Sequence, residues 1–331
     1  MPTPRASTLC SVALMLFFIS FSVPAQTARA DSQQSPAAIS DDTARGIKLY
    51  KQGATEEAIK LLKKVVKERR DDADAWYYLG LAYHREGRMG EALPAFEKVV
   101  GLRPESASAH AYLAYALLLA NRTDAAPTAL RAISLGENTA QLHYIIGEMF
   151  LREDKFERAL EKANTSLEID PGYASAIILK SLALLGLKRY QESAEALSTP
   201  LFKDSHGSSA TWRGQLEELN RLANPAPANL TDGSSRIVAG REVTTKVRVL
   251  TKPEPSYTEE ARKAGLEGTV TLSAVFSSEG TVTRILVLKW LPHGLTERAI
   301  QAARSLKFTP ATKDGRPVSM FYRIEYNFNL Y

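Results

Sequence analysis

The stretch AWYYLGLAYHREGRMGEALPAFEKVVGLRP (75–104) decides the first half of the fold. It holds two helical patterns that meet at Gly87, each with apolar residues three and four positions apart. Trp76, Leu79, Gly80, Tyr83, Ala92, Phe96 and Pro104 mark the pattern. A step of 34 residues back finds Gly46, Leu49, Gly53, Ala58, Leu62 and Val65, and the same step forward finds Leu113, Ala114, Leu117, Ala126, Leu130 and Ile133. The register then shortens by one residue. Ile146, Gly147, Phe150, Phe156, Ala159, Ile169 and Pro171 form a fourth unit, and Ser181, Leu184, Tyr190, Ser193 and Leu197 a weaker fifth.

Close packing between two helices explains the spacing. Gly46, Gly80, Ala114, Gly147 and Ser181 let the first helix of each unit approach the second, where Ala58, Ala92, Ala126, Ala159 and Ser193 face them. One helix pair cannot bury its apolar face alone, so the units must stack. Pro104 and Pro171 stop second helices. The pattern resembles the tetratricopeptide repeat, which implies a helical solenoid with a protein-binding groove whose ligand is unknown. Exposed tyrosines, Asn121, Asn164 and arginines are groove candidates, while structural packing accounts for Trp76, Tyr77, Tyr78, Tyr83 and Tyr115. Trp212, Leu216, Leu219 and Leu222 recur at helical spacing and read as a capping helix.

The chain opens with a different pattern. Arg5 precedes the apolar run LCSVALMLFFISFSV (9–23), and small residues follow at Ala25, Ala28 and Ala30. Residues 1–30 read as a secretory signal peptide, with retention as an uncleaved anchor the alternative. The single cysteine, Cys10, lies inside this segment, so neither a disulfide framework nor a thiol nucleophile is expected beyond it. The expected destination is the periplasm or cell envelope of a Gram-negative-type bacterium.

At 331 residues, the chain is long enough for two domains. A helical-repeat domain is expected over 39–223, a linker rich in proline and polar residues over 224–242, and a second domain over 243–331. A fully extended linker of a dozen residues would part the halves by about 35 to 40 Å. A net charge of +5 on this length does not single out a nucleic-acid partner.

The second domain alternates strands with short helices. Residues 243–253 form a lead-in strand. SYTEEARKAG (256–265) carries a capping box, with Ser256 as N-cap and Glu259 three residues on, and Gly265 as its stop. GTVTLSAVF and TVTRILVLK flank a short glycine-containing hairpin loop, with Ile285 and Val287 pointing inward on the second strand. A helix over 295–306 presents Leu295, Ala299, Ala302, Ala303 and Leu306, and Pro310 stops it. The chain closes on YRIEYNFNLY (322–331), an unbroken period-2 alternation that reads as a strand with one buried face. The fold class is therefore multi-domain: an all-α solenoid, then a small α+β domain of order α-β-β-α-β with a three-stranded antiparallel sheet.

Five short pieces in order carry a further resemblance: Pro255, Tyr257 and Ala261; Gly268; Gly280 and Val282; Phe308, Pro310 and Ala311; Gly315 and Pro317. Together they resemble the C-terminal domain of the TonB energy-transducer family over about 250–331. Thr258 departs from the proline common after that tyrosine. The resemblance implies that the last strand, with Tyr322, Arg323, Ile324, Glu325, Tyr326, Asn327 and Phe328, accepts the box peptide of an outer-membrane TonB-dependent transporter as an added strand. It also implies an inner-membrane proton-driven complex as a second partner. A full transducer has an uncleaved anchor and a long proline-rich spacer; here a repeat array stands in place of the spacer. A periplasmic adaptor that transduces no energy is the alternative. Pairing of two terminal strands would give a homodimer. The five histidines, scattered through repeats and loops, show no metal-ligand spacing. No glycine-rich phosphate loop or nucleophile motif occurs, so neither catalysis nor a cofactor or metal is expected.

Overall fold

The computed structural model describes residues 40–199, 202, 210–224 and 237–330. The leader expected over 1–30, linker residues 225–236 and Tyr331 lie outside them. The helical half contains α1 (Asp41–Lys51), α2 (Thr55–Glu68), α3 (Ala73–Arg85), α4 (Met89–Leu102), α5 (Ala107–Leu119), α6 (Ala125–Ser134), α7 (Ala140–Arg152), α8 (Phe156–Ile169), α9 (Ala174–Gly186), α10 (Tyr190–Leu197) and α11 (Ala210–Ala223). None of the described helices is long and apolar enough to cross a membrane.

The first ten pair into five units, and the small residues do what close packing demands. A Cβ on Gly46 would stand 2.6 Å from Leu62, one on Gly80 2.8 Å from Phe96, and one on Gly147 2.6 Å from Leu179. In the fifth unit the facing serines bond each other, Ser181 Oγ to Ser193 Oγ at 2.9 Å, so two hydroxyls are buried without a loose donor. The turn inside every unit passes through one left-handed residue: Gly53, Gly87, Asn121, Asp154 and Lys188. Gly80→Ala is expected to cost about 1 to 3 kcal/mol in urea unfolding, because Phe96 leaves no space for the methyl group. Gly101→Ala, in the same unit but with nothing within 4 Å, is expected to stabilise by about 0.5 to 1 kcal/mol; equal effects would contradict the packing role.

The sequence register needs one correction. The third unit buries Ala125, Ala129 and Ala132 in its second helix, while Leu130 is 53% exposed. The missing residue therefore falls inside this unit's own turn, between Asn121 and Ala125, and not between the third and fourth units. Periodicity alone could not place it, since both helices of that unit are rich in alanine and leucine.

The C-terminal half runs β1 (Arg248–Thr251), α12 (Glu259–Lys263), β2 (Gly268–Phe276), β3 (Val282–Lys289), α13 (Leu295–Arg304), β4 (Lys307–Thr309), β5 (Ala311–Lys313), β6 (Arg316–Val318) and β7 (Met320–Phe328). The main sheet is antiparallel with order β3-β2-β7, and two small ribbons, β1-β4 and β5-β6, flank it. The expected α-β-β-α-β order survives as α12-β2-β3-α13-β7. Helix α13 lays Leu295, Ala299, Ala302 and Ala303 onto the sheet, all four of them buried.

Three local expectations change. Thr258, not Ser256, caps α12: its hydroxyl accepts from Ala261 N at 3.2 Å and donates to His293 O at 2.6 Å, a tertiary bond that a capping box would forgo. The long helix ends at Arg304, and Pro310 separates β4 from β5 instead of stopping it. On β3 a bulge at Arg284, with φ of 48°, breaks the alternation, so Leu286 is buried as well as Val287 while Ile285 is only half-buried.

Candidate functional site

β7 forms one edge of the main sheet. Its even row is the buried face: Ile324, Tyr326 and Phe328 are at most 3% exposed, whereas Arg323, Glu325 and Asn327 on the odd row are exposed. The Tyr326 hydroxyl is buried without a hydrogen-bond partner, and burial, with the Glu254 carboxylate assisting, pushes it up to about 12. The strand sits two residues earlier than the sequence suggests, and Phe328 closes its pairing opposite Gly268.

The backbone direction follows from two contacts. Ser319 O accepts from Val238 N at 2.8 Å, and Glu325 O accepts from Lys252 Nζ at 2.6 Å. Both partners come from outside the sheet, and the residues are six apart. With a period of two, the N–H and C=O groups of the odd residues point away from β2, and those of the even residues point toward it. No backbone group of the described residues pairs with the outward N–H of Arg323, Glu325 or Asn327. Among the described residues the edge is thus open over its middle, with Lys252 as a cationic guard. The sequence reading missed Lys252; its signal was only a lysine before two prolines, in a segment that touches β7 without pairing to it.

The family-motif residues are scaffold. Tyr257 donates its hydroxyl to Leu266 O at 3.0 Å and sets its ring 5.4 Å from Phe328. Ala261 and Ala311 are fully buried, and Val282 and Phe308 nearly so, with the Phe308 ring 4.4 Å from Phe276. Gly280 and Gly315 hold left-handed turns, while Gly268 opens β2, where a Cβ would crowd Leu291. Pro255 belongs to the segment beside β7, and Pro317 lies in β6. Among them Gly268 pairs opposite Phe328 of the edge strand and Tyr257 packs against the same residue.

The opposite edge is closed by the solenoid. From α11 the Gln215 side chain acts as a short piece of strand: Val287 N donates to Gln215 Oε1 at 2.7 Å and Gln215 Nε2 donates to Val287 O at 3.1 Å. One turn on, Glu218, 1% exposed, accepts from Arg284 Nε at 3.0 Å and Nη2 at 2.5 Å, with Arg221 at 3.2 Å. The bulge at Arg284 aims the guanidinium at this carboxylate. Trp212 stands 6.0 Å from Trp290, Glu267 N donates to Leu119 O at 2.9 Å, and Lys289 Nζ donates to Arg152 O at 3.0 Å. Gly265 and Gly90 approach so closely that a Cβ on the former would be 3.0 Å from the backbone of the latter. Helix α11 therefore joins the halves as well as capping the repeats, and the linker does not hold them 35 to 40 Å apart.

The first helices of the units carry the aromatic groove candidates. Tyr50 stands 5.7 Å from Tyr78, Tyr77 6.3 Å from Tyr112, and Tyr144 5.7 Å from Tyr173. Tyr83 is buried, while Trp76 is half-buried and donates to Arg70 O at 3.0 Å. Pro104 and Pro171 are exposed in the turns between units. Burial lowers His84 to about 4, keeping it neutral beside Tyr112, and burial raises Glu148 against the pull of Arg152.

Arg284→Ala is expected to cost about 3 kcal/mol in urea unfolding of the full chain, because it leaves Glu218 buried with its chief partner gone. Replacing both Glu218 and Arg284 by methionine should recover most of that loss. A single variant within about 0.5 kcal/mol of wild type, on the scale of an exposed surface pair, would contradict the docking role.

Residues 253–330 match the family described as Gram-negative bacterial TonB protein C-terminal, and residues 43–106 and 83–147 match two tetratricopeptide-repeat families. No curated protein matches the chain. Among solved structures, the MamA protein is 25% identical over 51% of this chain and 97% of its own, with a TM-score of 0.43. YrrB, described as a tetratricopeptide-repeat protein with an unusual peptide-binding site, is 22% identical over 52% and 88%, with a TM-score of 0.44. MamA from Desulfovibrio magneticus RS-1 is 20% identical over 52% and 100%, also at 0.44. The chain carries a C-terminal domain of the TonB family behind a tetratricopeptide-repeat array, and both are protein-interaction modules.

Proposed function

We propose that the protein binds outer-membrane TonB-dependent transporters by strand addition to β7 and supports energy-coupled nutrient uptake in the cell envelope, with the repeats recruiting a further protein. It is a binding protein and not an enzyme. The observation that carries this function is the open edge: Arg323, Glu325 and Asn327 present outward N–H groups that no described backbone group satisfies. An extended peptide laid there gains a ladder of main-chain hydrogen bonds, while the exposed odd-row side chains set register. The box segment of a transporter is the extended partner that the family resemblance supplies.

A second function, a periplasmic adaptor that generates no force, is favoured by one feature. The TonB-type domain is docked on the solenoid through α11, so its placement follows the repeats and not a flexible spacer. In that case a repeat-bound protein supplies the force.

The backbone of Glu325 separates pairing from side-chain recognition. Its N–H points outward, so Glu325→Pro removes a donor offered to a partner and no β2–β7 bond. In titration with a synthetic transporter box peptide, Glu325→Pro should lose binding at an unchanged melting temperature, whereas Glu325→Ala should bind within about threefold of wild type. Equal loss in both variants would contradict main-chain pairing.

A further inference from the structure

A cavity of about 340 Å³ lies between the outer face of the main sheet and the turns of the fourth and fifth repeats. Its solenoid wall includes Phe156, Leu182 and Leu185, and its sheet wall includes Leu286, Phe321 and Arg323. Phe156 is seated over Gly186, where a Cβ would come within 2.4 Å of the ring, so the ring needs glycine there to hold its place. Three cations, Lys188, Lys289 and Arg323, line the space with one carboxylate, Asp154, which stands 3.9 Å from Lys289.

Arg323, Asp154 and Lys188 are its exposed lining residues, so the space opens between the edge of β7 and the turns of the repeats. Along β3, Leu222 of α11 forms part of the wall, and Gln215 of the same helix bonds the strand at Val287. The bonds from Glu267 to Leu119 and from Lys289 to Arg152 tie sheet and solenoid at the end near Gly268. Arg323, by contrast, lines the cavity with its side chain 56% exposed, paired at 3.1 Å with Glu325 in the same outer row.

Granting strand addition at β7, we propose that the solenoid completes the peptide site: the cavity receives a large apolar side chain of the added strand, and the cations at its rim receive an acidic residue two positions away. An added strand lies about 4.8 Å from β7, and every second side chain falls in the same row as Phe321, Arg323 and Glu325. Residues directly opposite one another bring their Cβ atoms to about 5 Å, so an aromatic ring opposite Phe321 or Arg323 reaches the space under Phe156. The cationic excess among the lining residues selects an acidic neighbour and disfavours a basic one. The repeats would thus set which extended segments the TonB-type domain accepts.

The probes are acetylated heptapeptides of threonine with Glu at position 2 and either Phe or Ala at position 4, titrated into the full chain. The Phe peptide should bind about tenfold more tightly than the Ala peptide, in line with burial of one aromatic side chain. Ser273→Phe fills the cavity from β2, and Phe156→Ala removes the aromatic ring from its solenoid wall. In both variants the preference for Phe should shrink to less than about twofold, with the Ala peptide binding as it does to wild type. A preference that survives in both variants, or is absent in wild type, overturns the composite site and leaves strand addition standing. Failure of wild type to bind either peptide overturns both.

Discussion

A three-stranded sheet has two edges, and in this protein a helix of the solenoid pairs with one of them. The Gln215 amide pairs with both backbone groups of Val287, and Glu218 anchors the bulged Arg284 nearby. Each hydrogen bond contributes only about 1 kcal/mol. The buried carboxylate raises the stakes, since undocking would break its charge pair. Closure of the β3 edge leaves β7 as the available one, and the same contact fixes the sheet's outer face against the turns of the repeats. A helix that sequence periodicity identifies as a cap is thus the joint between the halves.

Much of the architecture was legible because two periods carry it. The 34-residue spacing locates five helix pairs, and steric necessity makes its glycines readable: Gly80 is glycine because Phe96 occupies the space of a side chain. The two-residue alternation in β7 separates the buried Tyr326 and Phe328 from the exposed Glu325 and Asn327. These signals are local, and local signals survive in a sequence read by itself.

The remainder depended on contacts distant in sequence. Gln215 and Val287 are 72 positions apart, and nothing about a glutamine on an amphipathic helix announces that it will pair with a strand edge. Arg284 reads as an ordinary strand residue until the register shift in β3 turns it toward Glu218. Thr258 outcompetes Ser256 as a cap because its hydroxyl also reaches His293. The one-residue deletion in the third unit falls in a turn, where neither helical period constrains it. Arg323 was legible as an odd-row residue of the edge strand, but its second neighbour, the wall of the repeats, was not.

Residue-resolved amide hydrogen exchange, with and without a transporter box peptide, tests the two-edge account most directly. Without peptide, the Val287 amide should be protected, and β7 should alternate, with Ile324 and Tyr326 slow and Arg323, Glu325 and Asn327 fast. Addition of peptide should slow the odd-numbered amides alone. Fast exchange at Val287, or odd-numbered amides that are already protected in the free protein, would contradict the claim that the solenoid closes one edge and leaves the other open.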